Sequence, residues 1–256
     1  MKQLNLDTVY SALPLHLRTP LKRMMMLMLK RRLKRFYAQF INKDSLVFDI
    51  GTNDGDYAQS FLELGGHVIG VEPQPVYLEK LTKRFADNKQ ITILPNGIGE
   101  TRGVRDFYIS SFNSPNSTFS TDFQKNSRYN YRTWDKVIKV HMITFQDLLI
   151  KYGTPDFCKI DVEGYEWEVL STLQQPLPCI SFEFLSEMND KTFKIISHLD
   201  RLGKPRYNVC LGMQYTYALP EWVTGKELIK LLKQKHALRW NGDIYVVFPE
   251  AKKTRS

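Results

Sequence analysis

From residue 46 onward, short apolar runs alternate with stretches in which apolar residues recur every three or four positions. Runs of this length bounded by glycine or polar turns suit buried strands, and the three-to-four spacing suits helices that cross over them. The pattern predicts strands at 46–50 and 67–71 around a helix at 56–64, begun by Asp54 or Asp56 and stopped by Gly65 and Gly66. A helix at 75–85 with Pro75 in its first turn, a strand at 91–94 and a helix at 144–151 capped by Thr144 come next. The series continues with a strand at 157–161 closing on a carboxylate, a helix through Leu173, a strand at 179–184, a helix at 191–202, and a final strand pair near 206–210 and 243–248. Strand-like pieces at 104–109 and 137–142 flank a polar segment, 110–131, rich in Ser, Asn and aromatics, with the character of a substrate-side loop or lid. Such alternation predicts an α/β fold with a doubly wound, mostly parallel sheet.

The amino-terminal part differs. Residues 1–20 contain Pro14 and Pro20 and read as an irregular leader, whereas 21–40 interleave Met and Leu with long basic side chains and read as a helix on or beside the main domain. The expected division is 1–44 as leader and basic amphipathic helix, 45–250 as the main domain, and 251–256 as a tail. Net charge is +9, but Lys22, Arg23, Lys30, Arg31, Arg32, Lys34 and Arg35 fall in 21–40 without an acid, and taking these seven away leaves +2 for the rest. Basicity is therefore local. The bland reading is a solvated helix face; the functional one lets Met24, Met25, Leu27, Met28 and Leu29 dip into an anionic interface while the basic residues hold head groups. Phe36 and Tyr37 are the segment's aromatics apart from Phe40, too few to suggest base stacking, so no nucleic-acid partner is expected.

The apolar run at 24–29 is far shorter than the roughly 18–20 residues that span a bilayer. Cys158, Cys179 and Cys210 are odd in number and lack metal-knuckle spacing, which favours a reducing compartment and no disulfide framework. A cytoplasmic location, with peripheral contact at the inner membrane surface through 21–40, is the expectation.

Candidate chemistry begins at Asp49-Ile-Gly-Thr-Asn-Asp-Gly55, a glycine turn after the first strand, and Glu72, at the tip of the second. Glycines let backbone approach a nucleoside-bearing cofactor closely, and an acid at Glu72 can accept hydrogen bonds from a ribose diol. The glycines are spaced G-x-x-x-G rather than G-x-G-x-x-G, and no Lys-Ser/Thr pair follows them, which disfavours dinucleotide and P-loop readings. Carboxylates in the turn repel pyrophosphate but attract the cationic sulfonium and amino group of S-adenosylmethionine. Further acids fall at strand ends: Asp161 with Glu163, and Glu183 between two phenylalanines, where an inward carboxylate needs a partner. Lys159 reads as a strand residue reaching out of the sheet, and His67 and His141 as strand residues with local hydrogen bonds.

These motifs resemble the FkbM-type S-adenosylmethionine-dependent methyltransferases. The resemblance rests on Val47-Phe-Asp-Ile-Gly-Thr-Asn-Asp-Gly-Asp56, Gly70-Val-Glu-Pro73, the stretch 155–170 with Lys159-Ile-Asp-Val-Glu-Gly164 as its most specific part, Phe182-Glu-Phe184 and Gly242-Asp-Ile-Tyr245. It spans about 45–248, leaves the basic arm uncovered and is loose over 110–135. It implies methyl transfer to a hydroxyl of a sugar, glycan or other natural product. Asp49, Gly51, Asn53, Asp54 and Gly55 would line the methionine part of the cofactor, Glu72 its ribose, and Asn96 to Ile98 its adenine edge. Asp161 would be the base, helped by Glu163, with His141 competing and Glu183 binding substrate. A carboxylate pair holding a divalent cation is an alternative to a protein base, and a catalytically silent cofactor-binding scaffold tethered by the basic arm is an alternative to an enzyme.

Overall fold

Asp49, in the first strand of the described residues, sits beside Gly70 of the second and Lys159 of a strand more than a hundred residues later, so that first strand lies inside its sheet with a partner on each side. The computed structural model of the protein describes residues 15–110 and 114–251, with the side chains of 15–23, 25, 26 and 114 left aside. The first fourteen residues of the expected leader and tail residues 252–256 lie outside the described residues.

The strands of the main sheet are β1 (Leu46–Ile50), β2 (His67–Val71), β3 (Ile91–Leu94), β7 (Phe157–Ile160), β8 (Cys179–Leu185), β9 (Arg206–Leu211) and β10 (Asn241–Val247), in the order β3-β2-β1-β7-β8-β10-β9. β3, β2, β1, β7 and β8 pair in parallel, and β10 runs antiparallel between β8 and β9. This is the expected doubly wound, mostly parallel sheet. A second sheet went unforeseen: β4 (Gly97–Ile98), β6 (Lys136–Ile143) and β5 (Gly103–Ile109), in which β5 and β6 pair antiparallel from Gly103 with Met142 to Ile109 with Lys136.

Helices cover both faces of the main sheet. On one lie α1 (Leu15–Tyr37), α2 (Asp56–Glu63) and α3 (Pro75–Arg84); on the other lie α5 (Phe145–Tyr152), α6 (Glu166–Leu170), α7 (Asn189–Leu202) and α8 (Gly225–Lys235), with the short α4 (Thr121–Asn126) inside the polar connection. α3 carries Pro75 at its start, where the missing N–H costs nothing, and α5 opens on the reciprocal capping box of Thr144 and Asp147. The N-cap of α2 is Gly55, not an acid; Asp54 Oδ1 instead accepts from the Asp56 N–H at 3.2 Å. α8 was missed, although Thr224 and Glu227 form a second capping box readable as T-x-x-E.

The irregular reading of 15–20 is corrected: α1 runs from Leu15 through Pro20. Proline so near a helix start removes one internal hydrogen bond that the following turns outweigh. The last turns of α1 are core: Leu33, Phe36 and Tyr37 pack with Val47, Phe61, Phe157 and Tyr245. Phe40 stacks on Phe157 and Tyr245, and the Tyr37 and Tyr245 hydroxyls share a hydrogen bond at 2.9 Å. Burial of each such side chain stabilises the fold by roughly 1.5–3 kcal/mol, so α1 is held on the sheet by packing rather than by helix propensity. All three cysteines are free and buried, and no described helix is long and apolar enough to cross a membrane.

Candidate active site

Pairing register turns scattered acids into one surface. Asp49, Lys159, Ser181 and Tyr245 are aligned across β1, β7, β8 and β10. Side chains two residues apart share a sheet face, so the next row towards the carboxyl ends holds Asp161, Glu183 and Asp243, the last two directly paired. β1 hands the chain to β2 on one side while β7 and β8 lie on the other, and at such a reversal a crevice opens outside the strand ends.

Lys159 is the correction that matters most. It does not reach out of the sheet: its side chain is buried, its ammonium donates to Asp161 Oδ2 at 2.7 Å and lies 4.4 Å from the centre of the Tyr57 ring. Burial works to depress its pKa, but Asp161, Asp243 and Asp49 outweigh that and hold it above its ordinary value. The acids around it are crowded. Burial raises Asp49 to about 7 against the opposing pull of Lys159, and raises Asp243 to about 6. Glu163 and Glu183 are pushed well above the usual carboxylate range by burial first, and then by neighbouring acids. Oxygens of Asp161, Glu163 and Glu183 lie within 4.8 Å of one another, close enough to ligate one cation together.

The glycine turn closes against this cluster. At Gly51 the backbone is left-handed (φ 87°), and a Cβ there would run into the Asp161 carbonyl, so only glycine lets the two strand ends come together. Asn53 (φ 52°) and Glu163 (φ 53°) are also left-handed without being glycine, a cost the surrounding structure sustains on both sides of the crevice. Glu72 is buried; its Oε2 accepts from the Asn53 N–H and its Oε1 from the Gln74 N–H, both at 2.8 Å. Burial lifts its carboxyl to about 7 despite those two bonds. Glu166, in the first turn of α6, accepts from the Val162 and Gly164 N–H groups and shapes the loop.

A crevice of about 290 Å³ lies over the turn, walled by Gly51, Asn53, Asp54, Tyr57, Asp161 and Glu163. A smaller recess, sharing Gly51, Asn53, Asp161 and Glu163, continues to Glu72. Asp49 is buried beneath, with Oδ2 lacking any hydrogen-bond partner among the described residues. Gly55, the N-cap of α2 beside Leu81 and Phe85, lines neither space, and three further predicted residues stand elsewhere. His141 is exposed on β6 and lines neither space; Asn96 turns its amide to the His141 carbonyl at 3.2 Å; Ile98 is buried in the core between the sheets. Their shared cause is the second sheet, which pairs β4 with β6.

Residues outside the predicted site complete the walls. Leu29 and Lys30, expected on the interfacial side of the basic helix, line the crevice instead; Leu33 joins them from α1, Met213 and Tyr215 from the turn after β9, and Pro115 from the polar connection. That connection does face the site: Asn116 Nδ2 reaches both Glu163 oxygens at 3.3 Å, and Thr118 Oγ1 donates to the Glu163 carbonyl at 2.6 Å. Sequence periodicity carries no signal for walls assembled from such distant segments. The Lys159–Asp161 alternation was a signal, since i and i+2 of a strand share a face.

Comparison with known proteins gives a family match and several distant likenesses. A family described as the methyltransferase FkbM domain matches residues 49–206, more than half of the chain. The hexuronic acid methyltransferase AglP of Haloferax volcanii is 23% identical over 150 residues, covering 58% of this chain and 58% of that protein. Among solved structures, the precorrin-6y C5,15-methyltransferase of Geobacter metallireducens superposes with a TM-score of 0.45 at 12% identity, covering 85% of this chain and 88% of that one. Aeropyrum pernix fibrillarin, in complex with natively bound S-adenosyl-L-methionine, superposes with a TM-score of 0.44 at 11% identity, covering 81% and 68%.

Proposed function

The chain belongs to the FkbM methyltransferase family, and from that premise we propose that it methylates a hydroxyl oxygen of a sugar or glycan at the expense of S-adenosylmethionine. One observation carries the reading: the glycine turn and the Lys159-braced Asp161 wall a single crevice, with the orphan oxygen of Asp49 buried beneath it. The crevice fits the cofactor on two counts. An unpartnered buried carboxyl oxygen and a surplus of acids favour a cationic group, and the bare Gly51 leaves room for close approach. Gly51, Asn53 and Asp54, with Asp49 beneath them and Gly55 turning the chain into α2, would hold the methionine part and Glu72 the ribose, using the lone pairs its backbone bonds leave unused. When bound, the cofactor supplies a methyl group already activated by a sulfonium.

The chain's own work is then positioning and proton transfer. Asp161 accepts the proton of the acceptor hydroxyl through the oxygen that Lys159 does not engage. Glu163 and Glu183, held above the usual carboxylate range by burial first and then by neighbouring acids, bind neighbouring hydroxyls of the acceptor. Tyr57, Tyr215 and Leu33 offer apolar surface to a ring face. Orientation of this kind is worth about 7–11 kcal/mol of a barrier. The name of the Haloferax relative, a hexuronic acid methyltransferase, supports a sugar acceptor.

A second reading rests on the 4.8 Å grouping of Asp161, Glu163 and Glu183: a divalent cation held there would acidify the hydroxyl. The Lys159 ammonium already occupies one Asp161 oxygen, which favours the protein base. Titration calorimetry with S-adenosylmethionine and S-adenosylhomocysteine, followed by methyl release over a panel of sugars with and without chelator, tests the proposal. Loss of turnover on chelation transfers the role to a metal; cofactor binding without turnover on any hydroxyl points to a silent scaffold; absence of binding defeats both.

A further inference from the structure

We propose that the outer face of α1 is a docking surface for an anionic membrane, an interaction separate from the proposed chemistry. Measured at about 100° per residue, Met24 lies about 180° around the helix from Leu33, with Leu27, Met28, Arg31 and Arg35 on the same outer side. Leu33, Phe36 and Tyr37 are buried in the domain, whereas Met24 is 47% exposed and Leu27 and Met28 are each 54% exposed. Ten large hydrophobic residues are exposed among the described residues; seven are scattered, but these three fall within five residues of one helix. Isolated exposed apolar residues are ordinary, and a cluster rimmed by charge is not.

The charges separate in the same way. The two lysines nearest α2 are paired, Lys30 with Asp56 at 3.7 Å and Lys34 with Glu63 at 3.3 Å. Arg31, Arg32 and Arg35 are exposed and have no ion-pair or hydrogen-bond partner among the described residues. No acid occurs anywhere in α1. Unpaired arginines beside exposed Met and Leu complement an anionic surface with an apolar layer beneath it, which is a bilayer of acidic lipid. Nucleic acid offers the charge without that layer, and its binding surfaces carry stacking aromatics, which here face inward as Phe36 and Tyr37. Because Leu29, Lys30 and Leu33 wall the crevice from the inner face of the helix, a bilayer engaged by α1 would lie about one helix diameter, roughly 10–12 Å, from it.

Co-sedimentation of the full chain with sucrose-loaded vesicles tests this, using phosphatidylcholine alone and phosphatidylcholine mixed with phosphatidylglycerol, at low and high salt. Pelleting with the acidic vesicles alone is expected, weakened at least about tenfold by high salt. Two triple variants, Met24→Ser/Leu27→Ser/Met28→Ser and Arg31→Glu/Arg32→Glu/Arg35→Glu, should each lose pelleting while keeping the parent melting temperature, because the altered side chains are exposed. Pelleting unchanged in both variants, no pelleting of the parent with acidic vesicles, or displacement from them by a single-stranded oligonucleotide bound more tightly would each overturn the proposal.

Discussion

The Lys159 ammonium sits 2.7 Å from Asp161 Oδ2 with its other flank against the Tyr57 ring. Among the described residues it is the one buried basic side chain, and it faces Asp49, Asp161 and Asp243 together. The pair therefore neutralises part of a carboxylate surplus and sets the direction of the proposed base. Lys159→Met should lower unfolding stability by about 3 kcal/mol, the lower end of the range for breaking a buried pair, because the Asp161 side chain is 33% exposed. Denaturant titration checks it; stability equal to the parent's would remove the ion pair from the account.

Asp161→Asn keeps the shape of that partner and removes its proton affinity. Cofactor affinity should stay within a few-fold, while turnover falls by about 10²–10⁴-fold, the span of a lost general base. Calorimetry and a methyl-transfer assay on the same preparation separate the two quantities. A rate like the parent's would move the base elsewhere in the Glu163 and Glu183 group.

Glu72 has two duties, bracing the Asn53 and Gln74 N–H groups and, as proposed, gripping a ribose. Glu72→Ala should weaken S-adenosylmethionine binding by about 1.5–3 kcal/mol, the cost of a hydrogen bond to a charged group. Titration calorimetry measures it, and unchanged affinity would leave the carboxylate with its backbone role alone.

Acidity should act in opposite directions on folding and on cofactor binding. Asp49, Glu72 and Glu166 are raised to about 7 and Asp243 to about 6, all by burial. Between the ordinary carboxylate range and those values the folded chain binds more protons than the unfolded one, so stability is highest at the acid end and falls as pH rises to about 7. Each 1 kcal/mol of that fall lowers the melting temperature by about 2–4 °C for a domain this large. A cationic cofactor favours ionised acids, so its affinity should climb from pH 6 to 8. Melting curves and calorimetry at several pH values test both slopes, and parallel slopes would contradict the linkage.

The central strands and their helices were legible because each is a local pattern: an apolar run at 46–50, proline at the start of α3, threonine capping α5. The acidic rim was legible in part, since Asp161 directly follows β7 and Glu183 lies near the end of β8, strands whose parallel pairing the alternation implies. What escaped depends on long-range pairing. The β4–β6 contact draws Ile98 into the core and leaves Asn96 on the His141 backbone, and neither sequence neighbourhood announces it. A lysine in a strand ordinarily points to water; here Asp161, two residues along, and Asp49 and Asp243 from other strands make burial of Lys159 tolerable. The crevice walls come from α1, the β9 turn and the polar connection, segments joined by the fold alone.

Diffraction from crystals soaked with S-adenosylhomocysteine decides whether this crevice is the cofactor's. Its amino-acid end should lie over Gly51 to Asn53, its ribose at Glu72, and its sulfur should face Asp161. Density elsewhere, with these side chains turned from the ligand, would contradict it.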